Sequence, residues 1–202
     1  MNNSLEKYEQ FVKNVLNRYT FVDDKSVSLF FSIAKIQHFK KGEIILPLGK
    51  ISKHIYILYS GAVVSCYLYK DGNVYHKNIF LQGDFAGSVV SSLTNKPSQF
   101  SLEAIEDTVI ISFPFKEYKQ LIKEHRDIQN FYVAYIEKNW IIDKEQREID
   151  IVMKEAKERY LDYINTNPEI ENRIPLHYIA SHLGITPTQL SRIRKNIKNT
   201  TL

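Results

Sequence analysis

The sequence predicts an α+β fold in which a run of short strands is set between helical segments. Three observations carry this. Up to residue 36, apolar residues recur at helical spacing. From His38 to Phe113 the period falls to two, and glycine turns arrive at short intervals. From Lys116 onward no glycine occurs until Gly184, and helical spacing returns.

In the first segment, Leu5, Tyr8, Val12, Val15 and Tyr19 are followed by Val27, Phe30 and Ala34 at three- and four-residue steps. In the middle, Lys41-Gly42, Leu48-Gly49, Ser60-Gly61, Asp71-Gly72 and Gln82-Gly83 punctuate β-branched and aromatic runs. Asp71-Gly72 reads as a two-residue hairpin between Tyr67-Leu68-Tyr69 and Val74-Tyr75. Strands this short and this regularly spaced imply a sandwich, a roll or a barrel. From Asp127 to about Asp150, Ile128, Phe131, Tyr135, Ile142, Ile149 and Val152 mark one long helix of about 36 Å. Lys138 and Glu145 interrupt its apolar stripe. A hinge is expected at Asp150-Ile151-Val152-Met153, and Asn167-Pro168 ends the helix after it. Three domains follow: residues 1–115 as a β domain with N-terminal helices, 116–150 as the long-helix region, and 151–202 as the C-terminal unit.

That last unit is the most specific part of the chain. The formal net charge is +4, yet residues 172–202 contain no acid and carry Arg173, Arg192, Arg194, Lys195 and Lys198. Ile179-Ala180, Leu183-Gly184-Ile185, Leu190 and Ile193 have the order of a helix-turn-helix. Ala180 is small where two helices cross, and Gly184 supplies the turn. Thr186-Pro187-Thr188-Gln189 then starts the second helix: a capping hydroxyl, a proline at the first position and Gln189 three residues after the cap. An acid-free cationic helix-turn-helix implies a duplex DNA partner. Thr186, Thr188, Gln189, Ser191 and Arg192 are placed at the groove, with Arg194, Lys195 and Lys198 nearer the phosphates. Gln189 has a plainer reading as the second half of the capping box, and the cations have one as a solvated face. The long helix has two readings as well, packing on its own β domain or a parallel dimer seam through Phe131, Tyr135, Ile142 and Ile149. The dimer is favoured, because paired helix-turn-helix units match two half-sites a helical turn apart.

Composition excludes several classes. One cysteine, Cys66, rules out a disulfide framework or a cysteine-rich metal site within the chain, and its place in an apolar strand makes it core filler. The six histidines show no metal-ligand spacing, no histidine-rich facial set stands out, and no nucleophile–base pair shows itself, so no enzyme, metal or cofactor is expected. The polar N-terminus and the absence of a long apolar run predict a cytoplasmic protein with no membrane partner.

Taken together, the chain resembles the cyclic-AMP receptor protein/FNR (Crp/Fnr) family of bacterial regulators. The resemblance rests on Phe39-Lys40-Lys41-Gly42-Glu43, Tyr59-Ser60-Gly61, Asp71-Gly72, Gly83-Asp84-Phe85, and above all on the run from His177 to Lys195. It implies a cyclic-nucleotide-binding-like β-roll (jelly roll), a long dimerisation helix, a C-terminal helix-turn-helix domain, a homodimer, and RNA polymerase as a further partner. It also implies where a sensor cassette should lie: Asp84, Gly87, Ser88, Ser98 and Gln99. Nucleotide-binding relatives place there a Glu for the ribose and, about ten residues on, an Arg for the cyclic phosphate. Here those positions fall on Ser88 and on Ser98 or Gln99, and a phosphate would lose its charge-assisted partner. Lys96 is near but sits at the expected loop tip. Pro187 and Thr188 replace the Arg and Glu with which the cyclic-AMP receptor reads bases. The expected function is a dimeric regulator of transcription whose effector is not cyclic AMP or is absent; an unknown small-molecule effector is left open. The alternative is a small-molecule or haem-binding sensor with weak or vestigial DNA binding, for which His38, His54, His76 and Cys66 are the candidate haem ligands.

Overall fold

The computed structural model describes residues 3–68 and 74–200 of the 202. Helices α1 (Asn3–Asn17) and α2 (Asp24–Ser32) lead into the strands. The strands are β1 (Lys35–Phe39), β2 (Ile44–Leu46), β3 (His54–Ser60), β4 (Val63–Leu68), β5 (Val74–Phe80) and β6 (Phe85–Ala86), then, after the short helix α3 (Val89–Thr94), β7 (Ser101–Ala104) and β8 (Thr108–Pro114). They form two four-stranded antiparallel sheets, ordered β1-β8-β3-β6 and β2-β7-β4-β5. The Asp71-Gly72 turn lies outside the described residues, but β4 and β5 pair antiparallel on either side of it, Leu68 opposite Val74.

Three apolar clusters show how the layers stack. Between the sheets lie Leu46, Tyr56, Leu58, Val63, Leu102 and Ile110. On the outer face of the first sheet, Ile55, Ile57, Ile111 and Phe113 meet Val12, Leu16 and Phe30 from the N-terminal helices. On the outer face of the second sheet, Ala62, Val64, Cys66 and Ile105 meet the C-terminal helices. Strand β3 is therefore buried on both faces: Ile57 points to the helices and Leu58 to the interior, each fully buried. This is why His54-Ile-Tyr-Ile-Leu-Tyr reads as one apolar run and not as an alternation. Truncating either residue to Ala costs about 2–5 kcal/mol.

After α4 (Phe115–Glu124), a continuous helix runs through α5 (Arg126–Ile136), a π-helical segment Glu137–Ile142 and α6 (Asp143–Met153). It outlasts the expected end at Asp150. The chain breaks at Lys154, which is extended (φ −101°, ψ 141°), one residue beyond the expected hinge. A reciprocal cap between Glu155 and Glu158 then starts α7 (Ala156–Thr166). Among the described residues no helix is long and apolar enough to cross a membrane.

The expected dimer stripe needs correction in its first half. Phe131 and Tyr135 are buried in their own subunit with Ile128, Tyr19 and Phe85, so this half of the long helix packs on its own β domain. The inward face then passes through half-buried Asn139 and, two turns on, Arg147, Asp150 and Lys154. An i→i+5 turn holds one more residue than an α turn, which displaces the pattern. Ile142 and Ile149 consequently lie exposed, at 58% and 46%, with Trp140, Ile141 and Val152 beside them.

Candidate nucleic-acid interface

The C-terminal unit is built from α7, α8 (Ile170–Arg173), α9 (Leu176–His182) and α10 (Pro187–Thr200). Its core is Tyr160, Ile170, Ile174, Ile179, Ala180, Leu183 and Leu190, all buried. The end of α9 is closed by two backbone bonds, Ile185 N–H to the Ala180 carbonyl (3.0 Å) and Gly184 N–H to the Ser181 carbonyl (3.1 Å). That double closure requires a left-handed residue, and Gly184 has φ +70°. No atom lies within 4 Å of where its Cβ would be, so backbone conformation and not crowding demands glycine.

The start of α10 is the reciprocal cap read from the sequence. Gln189 N–H donates to Thr186 Oγ1 (3.1 Å), and Thr186 N–H donates to Gln189 Oε1 (2.9 Å). With its oxygen held by the cap, Gln189 takes the plainer of its two readings, and the bidentate adenine contact loses its acceptor. Thr188, Ser191, Arg192, Lys195 and Lys198 recur at three- and four-residue steps and are all exposed, forming one outward face of α10.

Not every cation of the tail belongs to that face. The Arg194 guanidinium donates from Nε to Glu171 at 2.8 Å, and Arg173 forks onto Glu106 at 2.8 Å. Both acids precede the acid-free stretch, so two of its five charges are compensated within the fold. Arg194, placed nearer the phosphates from the sequence, faces Glu171 within the fold. Among the described residues no carboxylate lies within ion-pair distance of Arg192, Lys195 or Lys198.

The cassette is the second place where the sequence put chemistry. Ser88 precedes α3 and Ser98 follows it; both are buried, and their hydroxyls bond to each other at 2.9 Å. Ser98 also donates to the Phe100 carbonyl (2.7 Å). Ser91 and Ser92 hold the neighbouring loop, Ser91 Oγ accepting from Ser52 N–H (3.0 Å) and Ser92 Oγ donating to the Ser52 carbonyl (2.9 Å). Gln99 points outward and Asp84 closes a turn by accepting from Leu81 N–H (2.8 Å), so neither lines a pocket with the serines. Gly87 is half-buried against the backbone of β3, and Lys96 is exposed.

Residues 36–125, which span the two sheets and α4, match the cyclic nucleotide-binding domain family. Solved structures similar in fold include FixK2 from Bradyrhizobium japonicum, with TM-score 0.67, 20% identity, and 84% of this chain and 86% of that one covered. The c-di-GMP responsive global regulator CLP from Xanthomonas campestris superposes with TM-score 0.68 at 13% identity, over 89% and 94% of the two chains. The catabolite activator protein from Thermus thermophilus does so at 0.55 and 17%, over 91% and 87%. None of the curated protein sequences compared with this chain matches it. The chain shares the fold of these structures.

In this chain two cassette positions read from the resemblance, Ser88 and Ser98, face one another as a serine pair. Of the haem-ligand candidates, His38 is exposed on β1 and His54 stacks on Tyr56 in the first sheet, while Cys66 and His76 are cross-strand partners in the second. His76 is occupied from above: its ring meets Tyr178 edge-on at 4.5 Å, and its backbone N–H donates to Ser181 Oγ at 2.8 Å. Burial pushes the Cys66 thiol up to about 11, the state of an inert core cysteine. The contacts that seat α9 on β5, and Arg173 on Glu106, left no trace in the sequence, because each joins residues about 70 or more positions apart.

Proposed function

We propose that this protein is a homodimeric regulator of transcription that binds duplex DNA through α10 and does not respond to cyclic AMP. The observation that carries the reading is the outward face of α10. Thr188 and Ser191 stand beside Arg192, Lys195 and Lys198 on a capped helix whose opposite side is fixed in a core. Short polar side chains at the helix start suit base edges; the arginine suits a guanine, and the lysines suit phosphates. CLP and the catabolite activator protein, a regulator and an activator by name, share the fold over 89% and 91% of this chain, which supports the same use here.

A two-fold pair is supported by the exposed stripe of Trp140, Ile141, Ile142, Ile149 and Val152. Isolated apolar residues on a surface need no explanation, but five large exposed ones gathered on one helix favour an interface. Two copies joined there would present two α10 helices to successive major grooves, with RNA polymerase as the further partner on the DNA. The sensor-only alternative is not favoured: the serine pair satisfies itself inside the roll, and α10 keeps a cap and an uncompensated cationic face. Gel-shift titration with duplex DNA over a range of salt tests the reading. Lys198→Ala should weaken binding to every sequence alike and flatten the salt dependence by about one unit per lost phosphate contact. Arg192→Ala should cost about 1–3 kcal/mol on a cognate site and less on random DNA.

A further inference from the structure

The four residues of α8 reach in two directions. Glu171 faces the recognition helix: its carboxylate accepts Arg194 Nε at 2.8 Å and the hydroxyl of buried Tyr160 at 2.5 Å. Two residues on, Arg173 faces the roll. Its Nη2 and Nε fork onto the Glu106 carboxylate at 2.8 and 3.4 Å, and Nη2 also reaches the Gly61 carbonyl at 3.3 Å. The far anchor is stiff. Gly61 adopts φ +88°, and a Cβ there would lie 2.7 Å from the Asp107 carbonyl oxygen. Between the two arms, Ile170 and Ile174 sit 2% exposed in the cluster shared with Ala62 and Ile105 of the roll. A rotation of α10 against the roll therefore has to break one ion pair or the other.

We infer that α8 is a two-ended strap that sets the recognition helix on the β-roll, with Arg194 and Arg173 as positioning residues and not DNA contacts. The inference deepens the DNA-binding reading and rests on it. Arg194 has the composition of a phosphate clamp but the geometry of an internal tie: its charge is matched by Glu171, and the pair is only partly exposed, at 29% and 28% of the side chains. Arg173 stands likewise, at 39% against 26% for Glu106.

The two roles predict opposite behaviour in the intact protein. Random-sequence duplex binding would be measured over a salt series for Arg194→Gln, Glu171→Gln, Arg173→Gln and Lys198→Ala, beside the charge-swapped pair Glu171→Arg with Arg194→Glu. A strap predicts that Arg194→Gln, Glu171→Gln and Arg173→Gln each weaken binding about two- to fivefold. They would leave the salt slope of the unaltered protein in place, whereas Lys198→Ala flattens it by about 0.9 per lost contact. The swapped pair should bind better than either of its single changes. If Arg194 instead clamped a phosphate, Arg194→Gln would flatten the slope as Lys198→Ala does, and Glu171→Gln would tighten binding by releasing the arginine. Either result overturns the strap, as would unchanged affinity in all three variants. Amide hydrogen exchange of residues 187–200 reads the tie without DNA: Glu171→Gln and Arg194→Gln should both accelerate it. Unaltered exchange would refute the strap, whereas failure of the unaltered protein to bind any duplex would refute the DNA reading instead.

Discussion

The hydroxyls of Ser88 and Ser98 meet at 2.9 Å inside the roll, each buried to 3% exposure. Ten residues apart in the chain, they stand where the resemblance places a ribose-binding Glu and a phosphate-binding Arg. A hydroxyl pair that satisfies itself leaves no charge to offset a buried cyclic phosphate, and desolvating that phosphate unpaired costs several kcal/mol. Titration calorimetry with cyclic AMP and cyclic GMP should therefore show no binding in the micromolar range. Micromolar affinity for either nucleotide would mean that a cation, Lys96 first among them, swings into the cassette.

The dimer seam makes a second expectation, narrowed by the structure to the exposed half of the long helix. Replacing Ile142 and Ile149 together by Glu should leave a folded monomer in sedimentation, because each change puts a charge into an apolar seam without touching the subunit core. Phe131→Ala should act differently, lowering stability by about 3–5 kcal/mol through the cavity it leaves among Tyr19, Phe30 and Phe85. A double variant that remains dimeric would place the interface elsewhere.

The same helix shows what a sequence can and cannot reveal. The succession of α9, turn and α10 was legible because its signals are local: Thr186 and Gln189 cap within one turn, and Gly184 closes α9 through bonds spanning six residues. Ser88 and Ser98 were legible for the same reason, as two positions in one short cassette. Phe131 and Tyr135 share one spacing with Ile142 and Ile149 in the sequence, but the π segment at 137–142 shifts the pattern that follows it by one residue, so the first pair is buried and the second exposed. Apolar spacing alone does not say which of two partners covers a stripe. The pairing of Arg194 was hidden because Glu171 lies one residue before the acid-free stretch, and becomes its neighbour only when α8 folds against α10. The layering of the roll was hidden in β3, where burial on both faces erases the alternation that marks a strand.

Gly184 allows a direct test of the turn. A left-handed backbone costs a residue with a Cβ about 1–2 kcal/mol, and open space around the site removes any steric contribution. Gly184→Ala should lower stability by that amount in urea unfolding. A loss well beyond it would show that the side chain meets something after all, and no loss would show that the turn relaxes.

Acid should loosen the seating of the C-terminal unit. Burial lowers the pKa of His76, and His177 nearby adds to the shift. Tyr178 and Ser181 face it from α9, Cys66 lies opposite on β4, and Glu103 approaches Cys66 from β7. A base whose folded pKa is lowered binds fewer protons folded than unfolded. Its contribution is therefore complete above the unfolded value near 6.5 and lost as the pH falls below it. The thermal midpoint should decline as the pH falls below about 6.5, and His76→Gln should make that decline shallower. An equally steep decline in the variant would assign the effect to other groups, with His54, also lowered by burial, the next to examine.

The central claim is that α10 reads duplex DNA, and footprinting of genomic fragments by the purified protein addresses it most directly, with and without a small-molecule extract of cells. Protection of discrete sites is expected, each with two related half-sites about one helical turn apart, and lost when Arg192, Lys195 and Lys198 are together replaced by Ala. No protected site under either condition, or protection that survives the triple replacement, would contradict it.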